Sequence, residues 1–318
     1  MLLVIADPAA PFLKVLSELP KDIEVVVSDD AETLKAHAHE ADAILYAYLG
    51  AHLLAQVLPL ARKLRWIHCL WTGVEGILIP ELLDHPAVLT NGRGVFRWPL
   101  ADWIVGAMLY FAFDFRRIVR QQEQRVWKPF FGDTLNGRTL GIVGYGGVGS
   151  AAAARARPFG MKLAALRRRS DLFESDSLVD RHYLPSQLKE LIAASDYLLI
   201  AMPLTPQTRG LIGEAEIAAL KNTAVFMNVG RGPVVDEAAL VRVLESNRIR
   251  GAALDVFTTE PLPGDHPFWR MPNVLLSPHT ADRVQGFLEP ALECFVENMN
   301  RFRSGEPLLN VVDKRAGY

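Results

Sequence analysis

Three glycines constrain this chain more than any other feature. Gly144, Gly146 and Gly149 stand in G-x-G-x-x-G spacing within Gly141-Ile142-Val143-Gly144-Tyr145-Gly146-Gly147-Val148-Gly149. The residues before them, 139–143, read as a strand, and the Ala-rich run 150–157 reads as the start of a helix. In a strand–turn–helix context the glycines permit a tight turn, close backbone approach to a pyrophosphate, and close packing of helix on strand. The helix start adds unpaired N–H groups and the positive end of its dipole.

The next strand, 162–166, ends in Arg167-Arg168-Arg169-Ser170. An NAD-binding unit usually places Asp or Glu about 20 residues past the glycines, where it accepts from the adenosine ribose. A carboxylate repels a 2′-phosphate, whereas guanidinium groups bind phosphate through charge-assisted, often bidentate hydrogen bonds. The basic run therefore points to NADPH over NADH, chiefly through Arg167 and Arg168. The plainer alternative is an exposed basic turn that solvates a strand end.

Short apolar strands alternate with helical patterns almost throughout, which predicts parallel sheets with helices on both faces. The first series is 2–6, 23–27, 43–47, 64–69 and 87–90; the second is 139–143, 162–166, 197–201, 224–229, 251–256 and 274–277. Six strands in the second series match a full dinucleotide-binding sheet. Between the series, the apolar stretch 99–120 reads as one long helix. A last helix, 282–303, follows the second sheet and is free to return to the first domain. With 318 residues the chain has room for two domains.

A formal net charge of −2 gives no global attraction to nucleic acid or an anionic membrane. Two cysteines, Cys69 and Cys294, make no disulfide framework and fit a reducing, cytoplasmic setting. The start Met1-Leu2-Leu3-Val4-Ile5-Ala6-Asp7 reads as a strand, not a signal peptide, and no apolar run has membrane-spanning length. No metal site is expected.

Ligands bind beyond the C-terminal ends of strands in open α/β sheets. Three polar residues occupy such positions: Arg231 in Asn228-Val229-Gly230-Arg231-Gly232, Glu260 after the strand 251–256, and His279 in Ser277-Pro278-His279-Thr280-Ala281. Singly, each is an ordinary surface residue. Jointly they offer a group to hold an anion, an imidazole, and a carboxylate to orient it. Of the other histidines, His37 and His39 read as a solvated helix face and His68 as a satisfied core group. His52, His85, His182 and His266 show no partner pattern.

With these motifs in order, the chain resembles the D-isomer-specific 2-hydroxyacid dehydrogenase family over nearly its whole length. The resemblance is carried by Gly144–Gly149, by Met202-Pro203-Leu204-Thr205-Pro206-Gln207-Thr208-Arg209-Gly210-Leu211-Ile212, and by the segments around Arg231, Glu260 and His279. Arg167-Arg168-Arg169-Ser170, Val126-Trp127-Lys128-Pro129 and the ending Asn310-Val311-Val312-Asp313-Lys314-Arg315 are similar to its glyoxylate/hydroxypyruvate reductase-like branch.

The resemblance implies an α/β fold of two domains: a Rossmann-type doubly wound parallel sheet, 99–282, and a smaller flavodoxin-like substrate domain made of 1–98 and 283–318. It implies that Arg231 binds the substrate's carboxylate and carbonyl oxygen, that His279 is the acid–base group, and that Glu260 raises the histidine's pKa. Thr72, Gly73 and Val74 match a substrate-carboxylate loop that works through backbone N–H groups. Gly147 and Val148 fall at the pyrophosphate, Met202, Pro203 and Thr208 beside the adenosine and phosphates, and Val229, Gly230, Arg231 and Asp255 near the nicotinamide. Asp255 is equally a strand-end cap.

The expected partner is a small 2-oxo or 2-hydroxy acid, and the expected assembly is a homodimer with 99–120 at its interface. A bulkier 2-oxo acid, or a nucleotide-sensing corepressor on the same scaffold, stays open at this level. Ala101-Asp102-Trp103 departs from the Ala-Glu-His that many members carry, and Arg167 replaces their acidic residue. Trp71 and Trp127 read as pocket walls or as plain packing.

Overall fold

The computed structural model describes residues 1–48, 50–168 and 176–318. Arg169 and Ser170 of the basic run therefore lie outside the described residues. The chain forms two compact units, Met1–Phe96 with Gln285–Tyr318, and Arg97–Val284.

In the first unit, β1 (Leu2–Ile5), β2 (Val25–Ser28), β3 (Ala43–Tyr46), β4 (Trp66–Cys69) and β5 (Val88–Asn91) form a parallel sheet ordered β2-β1-β3-β4-β5. This is the flavodoxin-like order. Alternate residues serve different cores: Leu3 and Ile5 face one, Leu2 and Val4 the other. The second core is closed by the helix Glu289–Ser304, whose Phe295 stacks on Trp66 at 5.8 Å. The chain end is tied to the same sheet, with Val312 N–H donating to Leu89 O at 2.9 Å and Val311 bridging Thr90 antiparallel. That last helix starts at Glu289 rather than at 282, because a proline in its first turn marks the start.

In the second unit, β6 (Thr139–Val143), β7 (Lys162–Leu166), β8 (Arg181–Tyr183), β9 (Tyr197–Ile200), β10 (Val225–Asn228), β11 (Gly251–Leu254) and β12 (Val274–Leu276) form a parallel sheet ordered β12-β11-β10-β9-β6-β7-β8. Read outward from β6, this is the Rossmann order with one strand added at the β12 edge. The additional strand relative to expectation is β8. Its residues Arg181-His182-Tyr183 form a short, polar edge that has no apolar run to announce it. Leu198, Ile200 and Phe226 enter the core on one face, while Tyr197, Leu199, Val225 and Met227 enter the core on the other. Burial on both faces explains why these strands read as continuous apolar runs.

The expected single helix 99–120 is two helices, Arg97–Ala112 and Phe115–Gln124. Asp114 breaks it with φ 49° in the left-handed region and caps the second helix by accepting from Arg117 N–H at 3.3 Å. Short polar side chains such as Asp tolerate that conformation and favour such caps. Among the described residues, no helix is long and apolar enough to cross a membrane.

Candidate active site

The Rossmann sheet changes direction between the neighbours β6 and β9, and the loops that leave these strands define its ligand-binding crevice. Gly144 sits there with φ 102°, and a Cβ on it would lie 2.6 Å from Ala201 O and 2.8 Å from Met202 N. Only glycine fits both constraints. A Cβ on Gly149 would lie 2.5 Å from Gly144 O, so the helix Gly147–Ala156 can press against the turn only without one. At Gly146 the situation is opposite: a Cβ would meet nothing within 4 Å. Its backbone face is open, and as N-cap it offers the first helical N–H groups no side-chain acceptor. The intrahelical ladder begins with Ser150 N–H donating to Gly146 O at 2.9 Å, so Gly147, Val148 and Gly149 precede it. These residues fit a dinucleotide pyrophosphate.

Arg167 follows β7, and its N–H donates to Tyr183 O at 3.0 Å. Its guanidinium lies over the ring of Tyr145, within the glycine turn, at 4.6 Å and meets Asp176 at 3.3 Å. Arg168 is placed next to it; Ser170 lies outside the described residues. In the loop after β9, Thr208 donates its hydroxyl to Pro203 O at 2.7 Å and accepts from Thr205 N–H at 2.8 Å. Its evident task is to close the loop that carries Met202 and Pro203. Met202 O also lies 2.7 Å from where a Cβ on Gly230 would be.

The buried Asn228, last residue of β10, builds the turn that presents Arg231. Its Oδ1 accepts from Gly230 N–H at 3.0 Å and its Nδ2 donates to Arg231 O at 3.1 Å. Arg231 donates from Nη1 to Gly230 O at 2.7 Å. Val229 continues the strand direction, its N–H donating to Ile200 O at 3.1 Å.

Beyond β11 and β12, two loops converge. His279 Nδ1 and Glu260 Oε2 are 2.7 Å apart, and Glu260 Oε1 accepts from Phe257 N–H at 2.9 Å. His279 has φ 52°, an uncommon conformation for a residue with a Cβ. Asp255 fixes it there. Its backbone O accepts from His279 N–H at 2.9 Å, and its Oδ1 accepts from Thr280 N–H at 2.9 Å and Ala281 N–H at 3.1 Å. The side chain of Asp255 thus acts as a cap for the histidine loop, one of the two roles open at the sequence level. Burial pushes the Asp255 carboxyl up, against the hydrogen bonds it accepts.

The hydrogen bond to Glu260 holds the His279 pKa above the ordinary histidine value, outweighing burial and the opposing charge of Arg231. Burial would raise Glu260, but the hydrogen bonds from His279 and Phe257 take it below the ordinary carboxylate value. Arg231 acts electrostatically on both. With Nδ1 held by Glu260, Nε2 is the nitrogen left to face a reacting oxygen. The pair can store and deliver one proton beside a fixed cation.

Sequence reasoning missed two supports of this arrangement. Asn228 was hidden because its partners are backbone atoms. Glu237 accepts from Thr258 N–H at 3.0 Å and lies 3.5 Å from His266 Nε2, bracing the loop that carries Glu260. A signal for Asn228 was available: a polar residue closing an apolar strand before Gly-Arg-Gly.

In the first unit, Thr72, Gly73 and Val74 follow β4. Thr72 donates its hydroxyl to Gly92 O at 2.8 Å, and its own O accepts from the buried Asn91 Nδ2 at 2.6 Å. His68 lies in the core as expected but is only half satisfied: Nδ1 meets Thr90 Oγ1 at 2.8 Å while Nε2 lacks a partner. Burial lowers its pKa to about 3, so it stays neutral. Asp102 pairs with Arg155 at 2.7 Å on an exposed surface, and Trp127 is 97% exposed.

A dinucleotide turn and a histidine–carboxylate acid at the C-terminal edge of one Rossmann sheet define an NAD(P)-dependent oxidoreductase acting on a CH–OH group. The model of the D-isomer-specific 2-hydroxyacid dehydrogenase NAD-binding domain matches residues 105–281. The chain is 34% identical to glyoxylate reductase of Korarchaeum cryptofilum over 316 residues, covering 97% of this chain and 88% of that one. It is 35% identical to glyoxylate/hydroxypyruvate reductase B of Pectobacterium carotovorum, covering 80% of each. An NADPH-dependent glyoxylate/hydroxypyruvate reductase of Sinorhizobium meliloti, solved with NADP and sulfate, superposes with TM-score 0.84 at 26% identity, covering 100% of this chain and 99% of that one. A D-isomer-specific 2-hydroxyacid dehydrogenase of Xanthobacter autotrophicus, solved with NADPH and MES, gives 0.85 at 29% identity with the same coverage. This chain belongs to the D-isomer-specific 2-hydroxyacid dehydrogenase family, in its glyoxylate/hydroxypyruvate reductase-like branch.

Proposed function

We propose that this protein reduces a small 2-oxo acid, glyoxylate or hydroxypyruvate, to the D-2-hydroxy acid with NADPH as donor. The observation that carries the reading is the 2.7 Å contact between His279 and Glu260, with the Arg231 charge acting on both. Gly144, Gly146, Gly147, Val148 and Gly149 would hold the pyrophosphate, and Arg167 and Arg168 the 2′-phosphate. Met202, Pro203, Thr208, Val229, Gly230 and Asp255 would line the rest. When bound, the dinucleotide supplies the hydride.

Arg231 holds the carboxylate and polarises the carbonyl oxygen through charge-assisted hydrogen bonds. We also propose Thr72, Gly73 and Val74 as substrate-binding residues that act through their backbone N–H groups. As the carbonyl carbon is reduced, His279 gives the Nε2 proton to the carbonyl oxygen, and the imidazolium becomes neutral imidazole. Glu260 stabilises the charged ring beforehand and fixes its tautomer. In the oxidative direction the same nitrogen takes the proton back.

The two free cysteines fit a cytoplasmic enzyme, and the segment 99–120 fits an interface with a second copy of the chain. Phe113, Phe115, Ile118 and Val119 are exposed there. Sedimentation at micromolar concentration reads the assembly.

The activity test follows dinucleotide oxidation with a panel of 2-oxo acids, using NADPH and NADH in parallel, for wild type and His279→Ala. Glyoxylate or hydroxypyruvate turnover with NADPH, lost in the variant by about 10²–10⁴-fold, is the expected result. Equal rates in both proteins would sink the mechanism. Tight NADPH binding with no turnover of any 2-oxo acid would favour a sensor. Arg167→Asp is expected to weaken the NADPH preference.

A further inference from the structure

We propose that Asp176 sets dinucleotide selectivity by competing, from within the fold, with a 2′-phosphate for Arg167. The inference rests on the reading that Gly144–Gly149 hold a dinucleotide. It goes beyond that reading by assigning a residue that opposes the basic run.

Arg167 is already engaged where the ligand's adenosine end is expected. Its guanidinium is stacked on Tyr145 at 4.6 Å, and its Nη2 lies 3.3 Å from Asp176 Oδ2. Both charged side chains are mostly buried, 18% and 13% exposed, so water screens the pair weakly. The carboxylate is itself fixed: Asp176 Oδ1 accepts from Leu178 N–H at 3.0 Å, and the Tyr145 hydroxyl hydrogen-bonds to Asp176. Burial and the Asp176 charge together push the Tyr145 hydroxyl up to about 12, so it remains a donor. Tyr145 belongs to the glycine turn, which ties the acid, the cation and the pyrophosphate site into one local structure.

The two dinucleotides meet this arrangement differently. A 2′-phosphate carries nearly two negative charges; to pair with Arg167 it must displace Asp176 or sit beside a like charge. A 2′-hydroxyl carries none and can donate to the carboxylate. Asp176 therefore works against Arg167, and the preference for NADPH is smaller than the basic run alone provides.

The test measures binding, not turnover. Wild type, Asp176→Asn, Arg167→Ala and the double variant are titrated with NADPH and NADH by calorimetry at fixed salt. Asparagine keeps an acceptor for Leu178 N–H and removes only the charge, and Asp176→Ser serves if it does not fold. Removing the charge should tighten NADPH by about tenfold, the low end of what a charge-assisted hydrogen bond contributes, with NADH unchanged or weaker. In the Arg167→Ala background the gain should shrink to less than half, because the contested cation is gone. An unchanged or lowered ratio of NADH to NADPH dissociation constants in Asp176→Asn overturns the proposal while leaving the dinucleotide reading standing. A full gain in the double variant overturns competition through Arg167. If neither dinucleotide binds wild type, the reading of the glycine turn and this proposal fall together.

Discussion

At the scale of single residues, the chemistry turns on which way each neighbour moves a proton. The hydrogen bond that Glu260 accepts from Nδ1–H stabilises the imidazolium of His279, so its protonated form persists to higher pH than in a free histidine. In the reductive direction the acid must be protonated. Activity is therefore full below the raised pKa and falls as pH rises through it. Glu260→Gln keeps an acceptor for Nδ1–H but removes the charge, which lowers the histidine's pKa. The alkaline limb of kcat/KM for 2-oxo acid reduction should move to lower pH. In the oxidative direction, where the neutral ring is needed, the acid limb should move the same way. A limb that stays in place or moves upward in the variant would show that the carboxylate does not tune the ring. Asp255 enters at this scale as a positioning residue: its carboxylate fixes the backbone of Thr280 and Ala281, and its carbonyl fixes His279 at φ 52°.

At the scale of elements, the site depends on two loops touching through their backbones. A Cβ on Gly232 would lie 1.9 Å from the carbonyl carbon of Phe257 and 2.0 Å from its oxygen. Gly232 starts the 3-10 turn after Arg231, and Phe257 donates its N–H to Glu260. Gly232→Ala must therefore push the arginine loop away from the glutamate loop. Overpacking of this kind costs about 1–3 kcal/mol, a fall in Tm of roughly 3–10 °C for a unit of this size. The expected kcat loss should exceed what the lost stability explains, measured well below Tm. Gly264→Ala, where a Cβ meets nothing within 4 Å, is the control and should be close to neutral. If both variants melt together, the contact is not what sets the loop. The same contacts explain what sequence reading reached. The doubly buried strands were legible as apolar runs, and Arg231, Glu260 and His279 as polar groups at strand ends. The edge strand Arg181–Tyr183 and the break at Asp114 were not, because one is polar and the other is a single left-handed residue inside an apolar pattern. Glu237 was illegible for a different reason: its partner is the backbone of Thr258, and 21 positions of sequence separate them without a motif.

At the scale of the whole chain, two parallel sheets divide the labour, and ligands should report that division. The glycine turn, the Met202–Thr208 loop and the Arg231 turn all leave the C-terminal ends of β6, β9 and β10. The Thr72 loop leaves β4 of the other sheet. A ligand that binds only the folded form stabilises it by RT ln(1 + [L]/Kd), about 2.7 kcal/mol at a hundredfold excess over Kd. Amide hydrogen exchange on the intact protein should therefore slow most strongly at residues 144–150, 202–208 and 229–231 when NADPH is added alone. Strands β1–β5 should change least. Adding oxalate, an unreactive dicarboxylate, to the NADPH complex should then add protection at 72–74. Protection at 72–74 that appears with the dinucleotide alone, at full strength, would remove the argument that this loop holds the substrate's carboxylate. Protection strongest in β1–β5 would place the dinucleotide on the flavodoxin-like sheet, and the reading of Gly144–Gly149 would fail with it.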